Sequence, residues 1–467
     1  MTPRKKRKSA PPVPVAVSAT DRIGALPDSL LQHVISFLPA QESVRTCVLA
    51  RRWRHLWKST RALRIVGLDG REPASVEDLR VFVDHLLMLR ERTDLESVEM
   101  RFHSCSEGEV PYVSLWTRFA LMCKVRALSL EISHAYFYPD DLPLASRYLK
   151  TLDLYGLGLQ KAFLDFSGCP ALEDLKMSEC NISVDRMSSP SLKHLSITGC
   201  LSDLRARLRI STPGLVSFKL DDFFGKTPFL ENMALLQTAC VNLGKSFSDV
   251  CMNYNSGVFC GDNKNGCVNC ISHNDGSSDC VLLGGISSAK HLELISESSK
   301  LLFTRDLKCC PTFSKLKTLL LNEYWCEAPD LDPLACILKK TPVLEKLTLQ
   351  LYLKGPTHKV EIKGSYSPME GPSTISEHLN IVEVKCNVVD EKILKVLKFL
   401  SAFNIRKLTN DSLHDLYVLK LASYVGMKLI TKQRDPEKCR ANVGSGGAAG
   451  WSPIGVVRGA AVATCMS

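Results

Sequence analysis

Cys267 and Cys270 stand two residues apart, the spacing at which one turn presents two thiolates to a zinc ion. Cys251, Cys260, His273 and Cys280 share the same stretch, and His273 or Cys280 could complete a tetrahedron. The second paired half of a finger spacing is missing, so the segment reads as an exposed loop with unpaired thiols, and no resident metal is expected. Catalytic patterns are also missing. The chain has no G-x-S-x-G elbow, no P-loop and no H-E-x-x-H pair. The run from Gly156 to Gly158 is too short for a dinucleotide fingerprint and fits a turn. With no nucleophile and base to start from, no catalytic residue and no cofactor is assigned, and the chain reads as a binding protein.

Composition narrows what it binds. The 467 residues are 45% hydrophobic, enough for a sizeable core. Of the formal charge of +10, Arg4, Lys5, Lys6, Arg7 and Lys8 supply half, and no later segment concentrates positive charge, so nucleic acid is not the expected partner. That basic run has the composition of a nuclear address, which predicts residence in nucleus and cytoplasm. The 19 cysteines are scattered and odd in number, as in a reducing compartment. The stretch after the basic run is short and broken by Pro11, Pro12 and Pro14, unlike a secretory core, and no segment reaches the length of a membrane span.

Two kinds of element must carry the binding. From Leu26 to Trp57 the spacing predicts three short helices. In the first, Leu30, Leu31, Val34, Ile35 and Leu38 make one broad apolar face before Pro39. The second carries Val44, Cys47 and Val48, and the third Trp53, Leu56 and Trp57. So small a unit cannot hide all of these side chains, and the surplus predicts a protein partner.

Thereafter the pattern L-x-x-L-x-L, with other apolar residues allowed, recurs from Leu63, Leu95, Val125, Leu149, Leu172, Leu192, Leu215, Leu236, Ala289, Leu316, Leu344 and Leu379. Successive starts from Val125 to Leu236 are 24, 23, 20, 23 and 21 residues apart, inside the window of leucine-rich repeats. Each match predicts a short strand whose spaced apolar residues face a shared core, with helices or turns between strands on the convex side. The fold class expected is mixed α/β: an N-terminal three-helix unit followed by a curved solenoid.

Leu26-Pro27, the leucines of the first helix with Ile35, Ser36 to Pro39, and the run from Val44 to Trp57 resemble an F-box. Ala40 departs from it, since family members often carry a hydroxyl residue there that caps the second helix. The repeats, with the segment Glu377 to Leu400, resemble plant F-box, leucine-rich-repeat and FBD-type proteins. That likeness divides the chain into a disordered basic tail (1–20), an F-box (21–60), a solenoid (61–355) with a flexible insertion at 244–281, an FBD-like end (356–410) and a loose tail (441–467).

The likeness implies a non-catalytic subunit. Its F-box would dock on a Skp-type adaptor, and through it on a cullin of a ubiquitin ligase, using Leu26, Pro27, Leu30, Leu31, Ile35, Leu38, Val44, Leu49 and Trp53. Its repeats would hold a substrate protein through side chains flanking the strand apolar residues: Asp153, Tyr155, Lys176, Lys193, His194 and Lys219. A repeat scaffold with no ligase role is the other reading.

Overall fold

A computed structural model describes residues 23–67 apart from Gly24, 72–133, 144–160, 164–202, 207–244 apart from Asn232, 280–296, 306–326 apart from Lys308, 331–351, 376–386, 391–401, 408–410 and 429–431.

Two proline residues set the entries of the first two helices. Pro27, extended at φ −65°, precedes α1 (Asp28–Ile35), and its carbonyl accepts from the amides of Leu30 and Leu31. Pro39 does the same for α2 (Ala40–Arg45), accepting from Ser43 at 2.8 Å. Ala40 is therefore the first helical residue, not the cap, and it is buried. A hydroxyl there would lie inside the helix start. The third expected helix is instead a 3₁₀ segment, Arg51–Ser59, preceded by a shorter one at Thr46–Val48. Its three-residue turns still bring Leu56 and Trp57 inward.

Fourteen of the twenty described strands form one parallel sheet that follows chain order without exception. Its members are β1 (Ala62–Ile65), β2 (Ser97–Phe102), β3 (Ala127–Ile132), β4 (Thr151–Tyr155), β5 (Asp174–Ser178), β6 (His194–Thr198) and β7 (Ser217–Asp221). They continue as β8 (Thr238–Leu243), β9 (His291–Ser296), β10 (Thr318–Asn322), β11 (Lys346–Leu351), β12 (Ile381–Cys386), β13 (Leu408–Asn410) and β14 (Leu429–Thr431). In most of β1–β12 one face is buried and the other half-exposed. The register stacks like on like: Leu128, Leu152, Leu175, Leu195 and Phe218 form one continuous buried row. Each such side chain contributes about 1.5–3 kcal/mol of burial.

Eleven of the twelve sequence matches begin at a buried residue two positions before a strand, but the match from Leu63 is three residues out of register. Leu63 pairs with Val98, so the opening position of that repeat belongs to Thr60, itself buried. Helices α3 (Val76–Leu89), α4 (Val110–Met122), α5 (Asp332–Lys339) and α6 (Glu391–Ser401) pack behind the sheet at its two ends. In the middle, where the repeats are shortest, the segment around Leu172 is a turn rather than a helix, and the return path is made of short parallel strands. Gly158–Leu159, Asn181–Ile182 and Leu201–Ser202 form one small sheet. Arg186–Ser188, Arg209–Ser211 and Phe229–Glu231 form another. The segment at Glu377 to Leu400 supplies β12 and α6 to the same sheet and core, and the sheet runs on through β14, past the expected boundary at residue 410.

Candidate functional site

The N-terminal helices divide their apolar residues between two jobs. Leu31, Ile35, Leu56 and Trp57 are buried and continuous with the core of the sheet. Leu30, Val34, Phe37 and Leu38 face outward from α1 and the turn after it. Val48 and Leu49 do so from the next turn, at 82% and 68% exposure. Those two values decide the matter, because a branched aliphatic side chain left that open gains nothing for the fold.

Two expected docking residues are therefore corrected. Leu31 and Ile35, at 0% and 1% exposure, support the outward face from beneath and cannot touch a partner. Leu26, Val44 and Trp53 are half-buried at the edge of the core, and Pro27, Leu30, Leu38 and Leu49 are exposed. Val34, Phe37 and Val48 share the open face and were not among the expected residues. The signal was available: Val34 and Phe37 are four and seven residues after Leu30, on its side of the helix. Across this face Arg52 and Asp28 form an ion pair at 2.6 Å, and Phe37 lies edge-on to His33 at 5.0 Å.

A buried arginine fixes this unit to the sheet. Arg90, at the end of α3, is 7% exposed and donates to Thr60 Oγ1 at 2.9 Å, Trp57 O at 3.3 Å and Thr60 O. Loss of solvation pushes its pKa down to about 10, so it remains charged at neutral pH. Close by, the Glu91 amide donates to Lys58 O, the Ser59 hydroxyl to the Glu91 carboxylate and Arg64 Nη1 to Phe37 O at 2.5 Å. The last carbonyls of the 3₁₀ segment are thus held by the first repeats.

The half-exposed face of the sheet gathers the six expected substrate residues on four adjacent strands. Asp153, Lys176, Ser196 and Lys219 lie in one register row, with Asp153 and Lys176 paired at 3.5 Å. His194 sits in the row of Thr151, Asp174 and Ser217. Lys193, just before β6, pairs with Glu173 at 2.8 Å, and Lys219 with Asp221 at 3.2 Å. Tyr155 is exposed at the end of β4, where partial burial and the carboxylates of Glu179 and Glu131 push its pKa up. Sequence reading missed that the row extends well beyond these strands. Glu99 bonds Arg64 and Arg101 on β1 and β2, and Glu383 bonds Lys346 and Lys385 on β11 and β12. Partial burial opposes ionisation of Glu383, but these lysines and Thr348 together hold its carboxyl below the usual range. Both signs of charge are represented along this row, with Glu99 and Asp153, then Lys176 and Lys219, then Glu293 and Glu383.

Of the cysteine constellation, Cys251, Cys260, Cys267, Cys270 and His273 lie outside the described residues, as do Arg4, Lys5, Lys6, Arg7 and Lys8. Cys280 lies within them. It is buried, accepts from the Gly284 amide at 3.0 Å, and its thiol pKa is pushed up by burial and Asp306, which disfavours the thiolate a metal needs. Among the described residues no group of three metal-ligating side chains converges, and no helix is long and apolar enough to cross a membrane.

The model of the F-box domain family matches residues 23–64, the segment with the outward apolar face. Those residues form an F-box domain. Similarity to F-box proteins runs far beyond it. The chain is 28% identical over 347 residues to MEIOTIC F-BOX protein MOF of Oryza sativa subsp. japonica, covering 70% of this chain and 71% of that one. It is 27% identical to an F-box/LRR-repeat protein of Arabidopsis thaliana, covering 73% and 78% of the two chains. To an F-box/FBD/LRR-repeat protein of the same plant it is 26% identical, across 91% and 97%. The homologues of this chain are thus plant F-box, LRR and FBD-associated proteins. No solved structure matches the chain significantly.

Proposed function

We propose that this F-box protein is the substrate-recognition subunit of an SCF-type cullin-RING ubiquitin ligase. The observation that carries the reading is the division of labour inside residues 23–64: Leu31, Ile35, Leu56 and Trp57 hold the fold, while Leu30, Val34, Phe37, Leu38, Val48 and Leu49 remain open. An apolar cluster of that kind is the anchor set of a protein interface, and a Skp-type adaptor, joined in turn to a cullin, is the partner of an F-box.

The fourteen strands are read as a leucine-rich-repeat solenoid. Parallel sheets are ordinarily covered on both faces, and a face left half-exposed among the described residues of β1–β12 fits a repeat array that presents a binding surface. The repeat from Leu172 also completes the longer signature L-x-x-L-x-L-x-x-C-x-L through Ile182, and the repeat from Leu192 follows it as far as the cysteine. Cys180 follows Met177 by three residues and Cys200 follows Ile197 by three. Both thiols are buried against strand-end carbonyls, Cys180 at 3.3 Å from Ser178 O and Cys200 at 3.6 Å from Thr198 O.

The subunit performs no bond-making step. It holds an acceptor lysine of a bound protein near a charged conjugating enzyme, raising effective concentration, and the Arg90 attachment keeps the two ends in one geometry. The mixed charges of the face suit a protein partner, and the basic run at residues 4–8 fits residence in nucleus and cytoplasm. The test is purification of the tagged full chain from plant extract, with and without residues 23–64. Retention of adaptor and cullin by the intact chain only supports the proposal. Absence of both from the intact chain leaves the scaffold reading in its place.

A further inference from the structure

Four cysteines lie on the segments that lead into β9, β10 and β11. Cys280 precedes β9, Cys309 and Cys310 precede β10, and Cys336 lies on α5 between β10 and β11. The buried Asp306 carboxylate fixes this region by accepting from the amides of Val281, Leu282 and Leu283 at 2.9, 2.8 and 2.9 Å. Cys310 and Cys336 converge on one carbonyl. The amide of Cys310 lies 3.3 Å from Leu307 O, and Cys336 Sγ lies 3.6 Å from the same atom. Their two thiols interact electrostatically and are unlinked.

The pair is unequal. Cys310 is buried, whereas Cys336 is half-buried on a helix whose next turn carries Lys339 and Lys340. Cys310 and those two lysines push the Cys336 pKa down to about 7, against burial and Asp332, while Cys310 is pushed up by Cys336 and by burial. Cys280 also faces Cys310. A thiolate beside a resolving thiol is the arrangement of a reversible oxidation site.

We propose that Cys336 and Cys310 form such a site, at which a hydroperoxide closes a disulfide between α5 and the turn entering β10. The Cys336 thiolate attacks one peroxide oxygen. The O–O bond breaks, hydroxide leaves from hydrogen peroxide, and Cys336 becomes a sulfenic acid. Cys310 sulfur then attacks Cys336 sulfur as its proton passes to the departing hydroxide, so the S–O bond breaks, the S–S bond forms and water leaves. The peroxide gains two electrons and each sulfur gives one. The disulfide would clip the repeat that holds β10 to the helix behind it, and a dithiol reductant would reopen it.

The test treats the reduced full chain with equimolar hydrogen peroxide, blocks residual thiols with N-ethylmaleimide and maps the peptides by mass spectrometry. The expected result is a Cys310–Cys336 crosslinked pair lighter by two hydrogens, unmodified by maleimide and lost after dithiothreitol. The crosslink persists in Cys309→Ser, and in Cys310→Ser dimedone labels Cys336 instead. Full maleimide labelling of both residues while Cys309 is oxidised would overturn the proposal, as would a Cys309–Cys336 link in the wild type.

Discussion

Replacing Arg90 with methionine keeps most of the side-chain volume and removes the charge that fastens the F-box to the repeats. Three donations are lost, to Thr60 Oγ1, Trp57 O and Thr60 O; Trp57 O keeps the Thr60 hydroxyl as a donor, while Thr60 O loses the guanidinium. A hydrogen bond from a charged donor contributes about 1.5–3 kcal/mol net, and an orphaned buried acceptor costs about 1–3 kcal/mol. Relief of the desolvation that depresses the Arg90 pKa offsets part of the loss. The sum expected is about 3 kcal/mol, concentrated at the junction, where about 1.4 kcal/mol corresponds to a factor of ten. Amide hydrogen exchange over residues 51–65 should then quicken by about 10²-fold in Arg90→Met, with the middle strands β5–β7 changed little. An increase below about fivefold at the junction, or equal acceleration throughout the sheet, would refute the clasp.

Other consequences follow from single positions. Gly156 has φ +72°, and a Cβ there would lie 1.9 Å from Ile132 O, so Gly156→Ala should destabilise the array by more than about 2 kcal/mol in urea unfolding. Leu31→Ala removes a fully buried side chain and should cost about 2–5 kcal/mol, read as loss of F-box protection in hydrogen exchange. Glu383 has a depressed folded pKa, so its stabilisation is present above the unfolded carboxylate pKa and is lost as pH falls through the folded value. Exchange of β12 should therefore be faster in Glu383→Gln than in wild type at neutral pH, with the difference closing in acid.

The repeats were legible because each strand spends its apolar residues at fixed spacing, and a parallel stack enforces that spacing again in every neighbour. Thr60 shows where the signal fails. The first repeat opens on a hydroxyl that caps its own turn by donating to Trp57 O, so the pattern slid to Leu63. The return path was less legible, since short connections in the middle repeats leave no room for a helix and their two- and three-residue strands carry no periodicity. At the F-box the sequence showed a surplus of apolar residues but not which were surplus. Leu30 and Leu31 are adjacent and alike, and only the sheet beneath decides that Leu31 is core and Leu30 is surface. The pairing of Asp153 with Lys176, and the interaction between Cys310 and Cys336, join residues of different repeats and depend on register.

The most direct test of the account is the dissociation constant of the full chain for a purified Skp-type adaptor, measured by calorimetry for wild type, Leu49→Asp and Val81→Asp. Leu49 lies on the proposed docking face, and Val81 is an equally open residue on α3 away from it, at 68% and 61% exposure. The account predicts tight binding by wild type and Val81→Asp and a loss of at least about 10²-fold in Leu49→Asp, as for a charge buried in an interface core. Equal binding by all three chains would contradict it.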